Sequence, residues 1–70
     1  MKIIKSIEEA QEMIEAFEGK PEDFRLAISD DLQDPMGLNM ALITDSILKR
    51  GWMPDGFEQG EGCRIYKYTA

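Results

Sequence analysis

Cys63 is the only thiol in this 70-residue chain, and there is no histidine anywhere. A cysteine nucleophile needs a base or a cationic setting that stabilises its thiolate. Arg64 is adjacent, but neighbouring side chains of an extended strand point to opposite faces. Cys63 therefore reads as a small, half-buried packing residue. Ser29, Thr44 and Ser46 also lack an imidazole partner. Asp30, Asp31 and Asp34 bring three carboxylates together in DDLQDP, and hard cations take such oxygen donors. Their spacing is not that of a calcium-binding loop. Asp34 suits a helix cap and Asp30–Asp31 a turn, and the acids Glu8, Glu12 and Glu15 suit a solvated helix face. GFEQGEG, residues 56–62, is not followed by the Lys-Ser/Thr helix start of a phosphate loop, and hairpin geometry accounts for its glycines. No catalytic residue, metal ligand, cofactor or small-molecule site is assigned, and the chain reads as a protein without enzymatic activity.

The other distinctive residues are aromatic and gather at one end. Residues 51–70 hold the only Trp, both Tyr and four of the six Gly. Residues 1–48 carry four basic and eleven acidic side chains, a net −7, whereas residues 49–70 carry +1. Trp, Tyr, Met and Arg are the residues enriched at the cores of protein interfaces. Trp52, Met53, Phe57, Arg64, Tyr66 and Tyr68 are accordingly the candidate contact residues. Counting by two places Arg64, Tyr66 and Tyr68 on one strand face and Cys63, Ile65 and Lys67 on the other. With the tyrosine face outward, an Arg and two rings would form a stacking platform for nucleic acid. With that face inward, the preferred reading, the tyrosines pack beneath the helices with hydroxyls at the rim.

The elements that must position these residues follow from periodicity. Lys2–Lys5 is a short edge strand or a lead-in to a helix. Ser6 and Glu9 form a capping box, and Ile7, Ala10, Met13, Ile14 and Phe17 line one face of a helix over 7–18. Gly19 is its expected left-handed stop. Pro21 opens a turn, and Phe24, Leu26 and Ile28 alternate with Arg25, Ala27 and Ser29 as a strand. Asp34-Pro35 marks the start of a second helix over 35–50, with apolar residues at 36, 40, 43 and 47. Lys49 and Arg50 suit its C-terminal dipole. Gly51 ends it, and a Schellman geometry folds Trp52 back onto Ile47. Cys63–Thr69 is the strongest strand, and residues 57–59 are a possible hairpin arm. The fold class is α+β, a single domain over 1–70 in the order (β)αβα(β)β. Two helices pack on one face of a three- to four-stranded, mostly antiparallel sheet.

Size and charge bound the rest. A chain of 8.0 kDa buries only about 60% of its unfolded surface, so its core is marginal and uses most of its large apolar side chains. The net charge of −6 opposes binding to phosphate backbones and anionic membranes. No run of apolar residues reaches the length of a membrane span. The lone cysteine and the polar N-terminal segment point to the cytosol. The favoured partner is another protein or a second copy of the chain. A winged or double-stranded-RNA-binding-like module, or an acidic mimic of nucleic acid, is the alternative.

Overall fold

The backbone signals in the sequence are resolved in a computed structural model that describes residues 1–70. Strand β1 spans Ile3–Ile4 and helix α1 Ile7–Ala16; β2 spans Arg25–Ser29, α2 Leu38–Lys49, β3 Met53–Gln59 and β4 Cys63–Thr69. Short 3-10 turns at Pro21–Asp23 and Asp30–Leu32 precede and follow β2. The four strands form one sheet in the order β1-β2-β4-β3. β1 and β2 are parallel neighbours joined by α1, and the other two pairings are antiparallel. Parallel neighbours need such a crossover, which is why the first helix lies between them.

Both helices cover the same face of the sheet. Ala10 and Ile14 of α1 and Ile43 and Ile47 of α2 meet Ile4, Leu26 and Ile28 of the strands, all fully buried, and Phe24, Trp52 and Tyr68 complete the cluster. Burying each such aliphatic side chain contributes about 1.5–3 kcal/mol, in a domain where every one counts.

The helix termini depart from the sequence reading in four ways. Only one half of the Ser6–Glu9 box forms: Ser6 Oγ accepts the Glu9 N–H at 3.2 Å, while the Glu9 carboxylate turns to Lys2. α1 ends at Ala16, two residues early, and Phe17 is extended. Gly19 is not left-handed. It is needed for space, since a Cβ there would lie 2.7 Å from two carbons of the Phe17 ring. The expected start of α2 moves three residues, from Pro35 to Leu38, behind a left-handed Gly37. Asp34 still caps it, by side chain from further back. Its Oδ2 accepts the Leu38 N–H at 3.0 Å and its Oδ1 the Asn39 N–H at 3.1 Å.

The end of α2 follows the expected motif. Gly51 has φ +79°. Its N–H donates to the Leu48 carbonyl at 2.9 Å and the Trp52 N–H to the Ile47 carbonyl at 3.1 Å, the paired bonds of a Schellman turn. Trp52 is thereby turned into the core. Arg50, beside it, has a role the sequence did not reveal. Its Nη1 donates to the carbonyls of Ile14 and Phe17, both at 2.6 Å. Its guanidinium lies 4.2 Å from the centre of the Trp52 ring. α1 has no basic residue in its own last turn, so α2 supplies the cap that α1 lacks.

Charge-assisted bonds to two carbonyls, discounted for the exposure of Arg50, predict that Arg50→Met lowers unfolding stability by about 1–2 kcal/mol. Arg50→Lys should recover less than half, because an ammonium neither forks nor stacks in the same way; urea denaturation compares the three proteins.

Acid lability follows from two carboxyls held below their ordinary values. The Asn39 and Leu38 N–H groups lower that of Asp34 from 3.8. The backbone N–H groups of Glu22 itself and of Ala70, then the Thr69 hydroxyl, lower that of Glu22 from 4.5. Depressed carboxyls contribute stability above their unfolded values and lose it as pH falls through the folded ones. The urea midpoint should therefore hold from neutrality to about pH 5 and decline below it. The decline should be shallower in Glu22→Gln and in Asp34→Asn than in wild type.

Candidate interaction surface

β4 is the sheet's axis, paired with β2 on one side and β3 on the other. Its alternation sends Arg64 and Tyr66 to the helix side in register with Ile28 and Leu26, and Tyr68 to the same side just ahead of the start of β2. The preferred reading of the tyrosine face is the one adopted, but the three residues share it unequally. Tyr68 is 3% exposed and packs on Phe24, ring centres 5.9 Å apart. Tyr66 is half-buried, and its hydroxyl donates to Gln33 Oε1 at 3.2 Å. Arg64 lies beyond, toward the edge.

The helices do not cover β3, and all seven of its residues are exposed. Asp55 and Gly56 form a bulge opposite Lys67, with Gly56 at φ +86°. Past it the ladder resumes with Phe57 opposite Tyr66. The Phe57 ring centre is 5.3 Å from that of Tyr66, and the Arg64 guanidinium lies 4.8 Å from the Phe57 centre. Gln33, Tyr66, Phe57 and Arg64 thus form a connected row on the helix side of the edge, with Phe57 47% exposed. Met53 stands at the other end of β3, opposite Thr69 and so on the other face of the sheet, and is 52% exposed.

Of the six residues singled out by sequence, Met53, Phe57, Arg64 and Tyr66 reach the surface. Trp52 and Tyr68 do not and are corrected to core residues. Trp52 is 6% exposed, lies 6.0 Å from Phe17 and 5.4 Å from Phe24 between ring centres, and is held inward by the Schellman turn. Two rings therefore remain at the surface. The platform of Arg64, Tyr66 and Tyr68 is not assembled as a trio, since Tyr68 is inside. Gln33, which fixes the Tyr66 hydroxyl, carried no signal in the sequence, because its neighbour in space is thirty-three residues away.

The other face of the sheet carries Ile3, Ala27 and Ile65 in one row and Arg25 beside Lys67 in the next. Cys63 is on this side and is 5% exposed. Gly60 closes over it so tightly that a Cβ there would stand 2.9 Å from its sulfur. Asp30 and Asp31 open a 3-10 turn, where the Asp31 N–H donates to Ser29 Oγ at 3.2 Å. No three carboxylate or thiol side chains converge closely enough to share a cation, and the surface forms no pocket.

β3 is protected from pairing with another strand by Pro54, by its bulge and by the charges of Asp55 and Glu58. What it exposes is side chains, a ring backed by a second ring and roofed by a guanidinium. Fold and surface define a two-layer α+β domain that presents an aromatic–arginine cluster on an edge strand. Comparison with family models, curated proteins and solved structures gave no match for this chain.

Burial pushes the Tyr68 phenol well above its ordinary value of 10, and the nearby Tyr66 adds to the shift. The unfolded chain releases that proton first, so stability falls as pH climbs past about 10. Tyr68→Phe should leave stability near neutrality within about 1 kcal/mol of wild type and flatten the alkaline decline. An unchanged alkaline slope would place this ring outside the core.

Proposed function

We propose that the chain is a non-catalytic protein-interaction module whose contact surface is Phe57, Arg64 and Tyr66. The observation that carries this reading is the state of Phe57. It is a large ring, half exposed on an edge strand, yet already ordered by Tyr66 beneath and Arg64 above. An aromatic held in place before binding loses little side-chain freedom when a partner covers it. Aromatic and Arg residues of this kind are the ones whose truncation costs an interface about 2 kcal/mol or more.

The chemistry of the surface describes its complement. An apolar side chain covers Phe57, and a carboxylate within reach of the Arg64 guanidinium completes the contact. The patch is small, which fits transient association in the micromolar range.

Selection of a displayed random-peptide library on the folded protein tests the reading. It should enrich sequences that combine a large apolar residue with Asp or Glu. Phe57→Ser should weaken the enriched peptides by about tenfold or more, and Arg64→Gln should remove the preference for the acid. No enrichment, or peptides indifferent to both changes, contradicts the proposal. Salt-sensitive binding of single-stranded RNA or DNA at low ionic strength, lost on replacing Arg64 and Lys67, would favour nucleic acid instead.

A further inference from the structure

Helix α2 is apolar on more sides than the core uses. Ile43 and Ile47 point inward and are fully buried, whereas Leu38, Leu42 and Leu48 are 57, 52 and 48% exposed. Ala41, Asp45 and Lys49 share the outward side with them at helical spacing,. A helix apolar around its circumference is ordinarily covered on both sides.

The pattern of this side identifies what covers it. Leu38, Ala41, Asp45 and Leu48 fall at i, i+3, i+7 and i+10, the seam of a helix–helix contact. The seam is symmetric about its midpoint, with a leucine at each end and two short side chains between. On an antiparallel two-fold, Leu38 meets Leu48 of the partner subunit, the same contact recurs at the far end, and Ala41 lies against Asp45 of the partner subunit. The alanine lets the axes approach closely. Such a patch is complementary to itself, which is what a two-fold interface requires.

Charge selects the same occupant. The chain carries −6, and α1 exposes Glu8, Glu12 and Glu15, so most approaches of one copy to another set like charges together. On α2 the one outward acid is neutralised, with Lys49 Nζ 3.0 Å from Asp45 Oδ2. The open face of the sheet is less suited to self-pairing, because Arg25 and Lys67 stand opposite one another there.

We propose that the outward face of α2 is a self-association surface on which a second copy of this chain packs antiparallel. A helix of twelve residues is about 18 Å long. One helix pair of that length buries less than the roughly 1,200 Å² of a standard interface, which sets a dissociation constant of about 10–100 µM. The seam shares no residue with the Phe57 cluster. A dimer therefore carries two copies of that cluster and binds a divalent partner with avidity.

Sedimentation equilibrium from about 5 to about 500 µM tests this. The wild-type mass should rise from monomer toward dimer. Dimerisation should strengthen between about 0.05 and 0.5 M salt, because screening relieves the repulsion of two acidic chains. Leu38→Glu with Leu48→Glu should weaken association about tenfold or more. Ala41→Arg, which keeps both leucines, should do the same, and circular dichroism confirms that each variant is folded. Phe57→Ser should dimerise as wild type does, which separates this surface from the peptide-binding one. In an NMR dilution series the concentration-dependent amide shifts should fall on residues 38–49. A wild-type chain that stays monomeric overturns the proposal. So does a dimer untouched by the seam substitutions, or dilution shifts centred on β3.

Discussion

The structure turns on the junction of Arg50 and Trp52. One short stretch ends α2, closes α1 and inserts the only tryptophan into the core. The Schellman turn at Gly51 directs Trp52 inward, where its ring meets Phe17 and Phe24. Arg50, one residue earlier, leans over that ring and holds the last free carbonyls of α1. The two helix C-termini are thus fastened to each other and to the aromatic cluster by adjacent residues. In a domain this small, with few apolar residues to spare, a charge-assisted clamp of that kind has a large share in fixing the angle between the helices.

The clamp also explains the division of the aromatics. With Trp52, Phe17, Phe24 and Tyr68 packed around one end of the sheet, the helices lie over β1, β2 and the near half of β4. They leave β3 uncovered. Phe57 and Tyr66 are then aromatic residues on the helix side with no helix above them. Arg64 takes that place, lying over Phe57 as Arg50 lies over Trp52. The two arginine–ring pairs differ in their surroundings. The first is tied to backbone carbonyls and is structural. The second has a half-exposed ring and is the pair on which the proposed contact surface is built.

Much of the fold was legible because its signals are local. The amphipathic faces of α1 and α2, the alternation of Phe24 to Ile28, the Gly51 stop and the strand from Cys63 to Thr69 each rest on residues close in sequence. The shifts arose where a local signal had a second solution. Asp34 caps α2 by reaching forward past a turn rather than from the position next to it. Gly19 looks like a helix stop but serves as space for the Phe17 ring. β3 is longer than residues 57–59 because a bulge at Asp55–Gly56 absorbs the mismatch with β4 that Pro54 and the glycine would otherwise impose. The candidate surface was legible as a cluster of residue types, not as an arrangement. Composition could not divide Trp52 and Tyr68 from Phe57 and Tyr66, since that depends on how far the helices extend over the sheet. The Gln33 and Arg50 contacts span more than thirty residues and left no trace in spacing.

Trp52 is the only tryptophan, so the junction can be observed directly by its fluorescence. A ring enclosed by Phe17, Phe24 and Arg50 should emit at short wavelength in the native protein. It should resist quenching by acrylamide and shift to the red only in the same cooperative transition that unfolds the helices. A red, readily quenched native emission, or a tryptophan signal that changes before the helices melt, would contradict the central place given to this junction.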